Sequence, residues 1–268
     1  MSRIGRRFAA LREKGEGALV VFVTAGDPTL EWSEKVVLTV ADAGADVIEV
    51  GIPFSDPLAD GPTIQASTFR ALQQGVTPEM VLEMVARVRT QSEVPLVTMT
   101  YFNPVWQMGV ERFAQQAAQA GVDGVIMTDM PPDEAGDWHA VARAHGLDTI
   151  FLVAPTSTPQ RMERVARMSS GFVYCVSRTG VTGAREHLPE EVPQMVQAMR
   201  ALTDLPLCVG FGISRKDHVK AVCEVADGAV VGSAVVSLME KEAKHGERSL
   251  LEAVHRFVRE LKEATRER

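Results

Sequence analysis

Short apolar runs rich in β-branched residues alternate along the whole chain with longer stretches of 3.6-residue periodicity. The runs predict strands at Leu19–Thr24, Val47–Gly51, Leu96–Thr100, Gly124–Thr128, Thr149–Val153, Phe172–Val176, Leu207–Gly210 and Ala229–Val231. The longer stretches predict helices over Trp32–Ala43, Met80–Val88, Val110–Ala120, Glu134–His145, Gln160–Met168, Glu191–Leu202 and Lys216–Glu224. Ahead of the first strand, Ile4, Phe8 and Leu11 share one face of an amphipathic N-terminal helix. One phrase recurs where a helix gives way to a strand: Gly44-Ala45-Asp46, Gly121-Val122-Asp123 and Gly146-Leu147-Asp148. Its glycine can take the left-handed conformation that stops a helix. A second phrase, Val94-Pro95-Leu96 and Leu205-Pro206-Leu207, leads into two other strands at a position where a missing N–H is tolerated.

Strand–helix units of roughly 33 residues, repeated eight times, predict an α/β fold of the (β/α)8 TIM-barrel type. Its eight strands are parallel, and the N-terminal helix and additional helices lie outside the repeat. We read residues 1–268 as one domain, because no linker or low-complexity stretch interrupts them. The alternative is an open doubly wound sheet, which usually carries G-x-G-x-x-G at its first turn. Here that turn is Thr24-Ala25-Gly26-Asp27-Pro28, which cannot cradle a dinucleotide pyrophosphate.

Charge and composition remove several classes of function. A net charge of −7 with no block of Lys or Arg argues against nucleic-acid binding. No apolar run reaches the roughly 18 residues of a membrane span. Cys175, Cys208 and Cys223 are odd in number and sit in apolar runs, as reduced core thiols of a cytoplasmic protein do. No lysine ends a strand, which argues against a Schiff base. The six histidines also lie on helices or loops, so no strand-end ligand set for a metal is expected.

In such a barrel, chemistry sits where strands end. The early strand ends carry acids and aromatics: Asp27, Glu49, Tyr101-Phe102-Asn103 and Asp129. The late ones carry glycines and hydroxyls in Gly180-Val181-Thr182-Gly183, Gly210-Phe211-Gly212-Ile213-Ser214 and Gly232-Ser233. Glycines let backbone N–H groups approach an anion, and a helix N-terminus adds partial positive charge, so three such loops read as a phosphate cradle. Plain tight turns are the other reading. Glu49 lies inside an apolar strand, sharing a face with Val47 and Gly51. It is either an acid–base group whose pKa burial raises or a structural carboxylate paired with an arginine or a backbone amide. Asp60 precedes Gly61 in a Pro-rich loop and is either functional or a turn residue. Asp56, before Pro57, reads as an Asx-turn, and Asp129, before Met130-Pro131-Pro132, as a loop-pinning acceptor. Trp106 either caps local core or offers a docking surface.

Several phrases together resemble the α subunit of tryptophan synthase. They are Phe22–Pro28, Glu49–Gln65, Met99–Pro104, Ser177–Gly183, Val209–Ile213 and Val231–Ala234, spread over about residues 5 to 260, and the Glu49–Gln65 phrase is the most specific. The resemblance implies retro-aldol cleavage of indole-3-glycerol phosphate to indole and glyceraldehyde 3-phosphate. It implies catalysis by Glu49 and Asp60, and substrate binding by Phe22, Tyr101, Asp129, Tyr174, Thr182 and Phe211. Phosphate binding falls to Gly183, Gly212, Gly232 and Ser233. It further implies an α2β2 complex in which pyridoxal phosphate belongs to the partner β subunit and indole passes to it. No cofactor or metal is implied in this chain.

Overall fold

A computed structural model describes residues 2–176, 188, 190–210 and 212–266. Its strands are β1 (Ala18–Thr24), β2 (Val47–Gly51), β3 (Leu96–Thr100), β4 (Gly124–Met127), β5 (Asp148–Ile150), β6 (Leu152–Val153), β7 (Val173–Val176), β8 (Leu207–Gly210) and β9 (Gly228–Val231). All pair in parallel, in the order β5-β4-β3-β2-β1-β9-β8-β7-β6. The predicted fifth strand is therefore two short ones on either side of Phe151. Asp148–Ile150 pairs with β4, Leu152–Val153 pairs with β7, and the Phe151 carbonyl accepts the Tyr174 N–H. One bent stretch of chain thus closes the (β/α)8 barrel by facing its two neighbours in turn.

The helices are α1 (Arg3–Lys14), α2 (Leu30–Asp42), α3 (Pro62–Gln73), α4 (Pro78–Arg89), α5 (Phe102–Met108), α6 (Val110–Ala120), α7 (Gly136–Ala144), α8 (Pro159–Met168), α9 (Glu191–Arg200), α10 (Lys216–Cys223), α11 (Ser233–Ala243) and α12 (Glu247–Ala264). Thr29, Thr77 and Thr158 cap α2, α4 and α8 by accepting a first-turn N–H. Helix α7 starts two residues later than the periodicity predicts, because Glu134 N–H closes a turn on the Pro131 carbonyl. Helices α3 and α5 are additions between a strand and its main helix, and both lie at the end where strands finish. No helix among the described residues is long and apolar enough to cross a membrane. The three cysteines are buried and free.

Strand alternation sorts the core into two shells. The outer shell packs Leu19, Val21, Val23, Ile48 and Val50 against the helices. The inner one holds Val20, Val47, Val97, Ile126, Ile150, Cys208 and Val230. Helix α1 plugs the barrel beneath this inner shell with Ile4, Phe8 and Leu11, and Phe8 lies 6.1 Å from the Phe172 ring.

At the strand starts, an N–H in the first two residues of a strand needs an acceptor beyond the ladder. The Asp at the start of the next strand supplies it. Asp46 accepts Leu19 N–H at 2.6 Å, Asp123 accepts Leu96 N–H at 2.9 Å, and Asp227 accepts Leu207 N–H at 2.9 Å. Each is paired with cations: Asp46 with Arg7 and Lys262, Asp123 with Arg89 and Arg3, Asp227 with Arg200. The recurring Gly-x-Asp phrase thus carries a staple as well as a helix stop. Asp148, its third copy, departs from the pattern, with a buried Oδ2 that has no partner.

Asp46 is fully buried and holds the buried ammonium of Lys262, whereas Arg200 beside Asp227 reaches solvent. Asp46→Ala should therefore cost about 3–5 kcal/mol, because it leaves the buried Lys262 ammonium with only the longer contacts to Glu16 and the Gly17 carbonyl. Asp227→Ala should cost only about 1–2 kcal/mol. Equilibrium urea unfolding of both variants checks the ranking, which is wrong if Asp46→Ala is the milder.

Candidate active site

Side-chain alternation aims Glu49 into the barrel, level with Phe22 on β1 and Val97 on β3. It is fully buried, and neither carboxylate oxygen has a hydrogen-bond partner among the described residues. The reading of Glu49 as a salt-bridged structural acid is thereby set aside. Burial raises its pKa to about 8, so the carboxyl holds its proton near neutrality. Tyr174 on β7 and Cys208 on β8 lie within its electrostatic reach, and burial, with Glu49 adding to it, drives both of their pKa values up.

Gly51, two residues on, leaves the space that Phe22 fills. A Cβ there would come within 2.6 Å of the Phe22 ring. The ring therefore lies directly above Glu49 on the neighbouring strand pair, and Gly232 of the last strand–helix junction approaches it from the other side. A small cavity continues past Phe22 to Asp60, Ile64, Thr68, Met99 and Tyr101.

Asp60 sits on the loop between β2 and α3. Burial lifts its pKa to about 6, against the opposing effect of the Tyr101 hydroxyl, which donates to Oδ2 at 3.1 Å. Gln65 donates to the Asp60 carbonyl at 2.8 Å. Asp56 forms no Asx-turn. Its carboxylate accepts the Ser55 hydroxyl, and the Leu58 N–H bonds the Asp56 carbonyl instead. Asp129 is exposed and accepts the Phe102 N–H at 2.8 Å, tying down the first turn of α5. Trp106 on α5 is 65% exposed and Leu58 on the Asp60 loop 91%, so Trp106 does not cap the core.

On the late side, Gly232 precedes α11, whose first residue is Ser233, and no side chain caps that helix. The Val235 and Val236 N–H groups bond the Gly232 carbonyl, which leaves those of Ser233 and Ala234 for an anion. Gly212 has a φ of 82° with open space where a side chain would stand. Thr182, Gly183 and Phe211 lie outside the described residues. A larger cavity, about 770 Å³, opens at the opposite end of the barrel between α1 and the loop before β3. Its Arg3 and Arg7 are bound to Glu93, Asp123 and Asp46, and no strand end reaches it.

Helix α3 supplies residues that the sequence reading passed over. Ile64 and Thr68 line the small cavity, Ser67 bonds Thr24 at 2.7 Å, and Arg70 grips Asp27 with two bonds of 2.8 Å. The available signal was Gly61-Pro62, a helix start with proline in its first turn. It was masked because the buried face runs through Ser67 and Thr68 rather than through large apolar residues.

The raised pKa of Glu49 makes stability depend on pH. In the unfolded chain the carboxyl ionises near its ordinary value of 4.5, and in the folded chain near 8. The unfolded state therefore binds fewer protons between these values, and stability falls as pH rises through that window. Urea unfolding at pH 5.5 and 8.5 should show a loss for the unmutated protein that Glu49→Gln largely removes. Parallel pH slopes for the two proteins would contradict the burial argument.

Comparison with known proteins adds a separate line of observation. The family model described as tryptophan synthase alpha chain matches residues 8–266. A tryptophan synthase alpha chain from Geobacter sp. (strain M21) is 52% identical over 98% of this chain and 97% of its own length. One from Solibacter usitatus is 50% identical, with the same coverage. Among solved structures, tryptophan synthase subunit alpha from Legionella pneumophila superposes with a TM-score of 0.92 at 36% identity, covering 99% of this chain and 98% of that one. A chain of Mycobacterium tuberculosis tryptophan synthase gives 0.90 at 38% identity, covering 99% and 98%. With that coverage at both levels, the chain belongs to the tryptophan synthase alpha chain family.

Proposed function

We propose that this chain, an enzyme of tryptophan biosynthesis by family, cleaves indole-3-glycerol phosphate to indole and glyceraldehyde 3-phosphate. The observation that carries the reading is Glu49, a fully buried carboxyl without a partner, holding its proton near neutrality beneath Phe22. A retro-aldol cleavage needs an electron sink, and an indole protonated at C3 is one. Glu49 gives that proton. The bond from C3 to the glycerol carbon then breaks, and its electron pair returns to the ring. The adjacent hydroxyl loses its proton to the Glu49 carboxylate and becomes the aldehyde, so the enzyme ends as it began. Asp60 accepts the ring N–H as positive charge grows there. The phosphate lies on the N-terminus of α11 at Gly232 and Ser233, two strands round the barrel from the strand that carries Glu49.

The exposed Leu58 and Trp106 fit a partner surface over the mouth. By family, that partner is the β subunit, and an α2β2 complex would carry indole to it.

Glu49→Gln should lower indole release by about 10²–10⁴-fold, the usual share of one acid–base group, in a protein that still folds. Asp60→Asn should lower turnover more than affinity. Near-normal turnover by folded Glu49→Gln rules the assignment out.

Gly232→Val probes the phosphate, since φ at Gly232 is −120° and a Cβ there stands 3.5 Å from Phe22, an ordinary contact. Affinity for glycerol phosphate should fall at least tenfold by roughly the loss of one charged hydrogen-bond contact, while indole itself binds unchanged. Equal weakening of both ligands would place the anion elsewhere.

A further inference from the structure

Tyr101 stands at the end of β3 as the residue before α5, and the sequence reading places it among substrate contacts. Its surroundings give it a further role. The phenol is buried, its ring packs 5.2 Å from Phe54, and its oxygen is engaged twice by the loop that carries Asp60. The Ala59 N–H donates to Oη at 2.9 Å, and Oη–H donates to Asp60 Oδ2 at 3.1 Å. Asp129 fixes the base of this arrangement, because it accepts the N–H of Phe102, the residue next to Tyr101.

We infer that Tyr101 is a positioning residue, whose phenol latches the Asp60 loop and holds the Asp60 carboxylate in the orientation in which it meets the ring N–H. This rests on the proposed cleavage reaction for the role of Asp60, but the latch itself is a property of the free chain. A hydroxyl that accepts from one residue and donates to the next fixes both a backbone position and a carboxylate rotamer. Neither Phe nor Leu at this position could do either. Leu58, beside the latch, is almost wholly exposed, so packing does not hold this part of the loop. The polar contacts are what order it: those of Tyr101, and Gln65 on the Asp60 carbonyl.

The latch also bears on ionisation. A donor to a carboxylate favours its charged form, and Tyr101 opposes the burial that raises Asp60. Among the described residues, the titratable groups within electrostatic reach of Asp60 are Tyr101 on the α5 side and Tyr174 on β7. Glu49 on β2 acts on Tyr174, while α3 contributes only the uncharged Gln65. No cation offsets the loss of the phenol, so Asp60 should hold its proton to higher pH without it.

The test is Tyr101→Phe in the full chain, which keeps the ring against Phe54 and removes only the oxygen. Three quantities are measured: amide hydrogen exchange over residues 57–61, the pH profile of kcat and KM for indole release, and the Asp60 carboxylate infrared band. That band is assigned by its absence in Asp60→Asn. The expected result is at least tenfold faster exchange at Ala59 with α3 unchanged. With it should come a kcat lower by about tenfold to a hundredfold, the value of a hydrogen bond to a charged group, and KM within about threefold of the unmutated value by the same reasoning. The acid limb of the profile and the infrared titration should both move to higher pH. A loss in KM alone would return Tyr101 to the substrate contacts, and unchanged exchange or unchanged kcat would overturn the latch. If the unmutated chain releases no indole, the cleavage reading fails, and exchange with the infrared titration decides the latch alone.

Discussion

Everything at the mouth of this barrel depends on one unfavourable placement, a carboxyl buried with no partner at Glu49. An ionised acid in that position would cost several kcal/mol or more in lost hydration, and the group escapes by keeping its proton. The surrounding shell is built so that it can. Val20 and Val47 lie beneath it, Val97 stands level with it, the Phe22 ring lies over it, and no lysine or arginine among the described residues reaches it. Such a site survives only in a scaffold that does not relax around it. At the far end, α1 plugs the inner shell, and the Asp46 and Asp123 staples tie consecutive strands to each other and to α1, α4 and α12.

The two acids are separated chemically by their neighbours rather than by their residue type. Glu49 meets only apolar groups and weak donors, and rises to about 8. Asp60 is less deeply placed and receives a phenol, and stands at about 6. Between those values one group is a proton donor and the other a negative charge. That is the division a reaction needs when it must protonate a ring and stabilise the cation that results.

Much of this was legible in the sequence because it follows from period and punctuation. Strand positions came within a residue or two, since buried parallel strands read as continuous β-branched runs. The Gly-x-Asp phrases marked real helix stops, with Gly44, Gly121 and Gly146 all at positive φ. The inward aim of Glu49 followed from counting by two. What stayed hidden was non-local or atypically patterned. Helix α3 buries serine and threonine, so no apolar stripe reveals it. The division of the fifth strand at Phe151 is a property of closing the ring. The Tyr101 latch joins residues 41 apart, and the Asp staples join residues 20 to 27 apart, through contacts that no local propensity encodes.

The segregation of early acids from late glycines has its own electrostatic logic. A phosphate dianion beside Glu49 and Asp60 would push both carboxyls still higher and strip Asp60 of the charge it needs. On the proposed reading the anion sits on α11, two strands round the barrel from β2, and a single extended substrate spans the two sites. The halves must then be held at a fixed separation, and one side chain does so directly. Arg70 of α3 takes Asp27 at the end of the first strand with two bonds and Glu240 of α11 with a third. The helix that follows Asp60 and the helix proposed to take the phosphate are thereby joined through one guanidinium. Its planar fork fixes direction as well as distance, which a lysine at the same position would not.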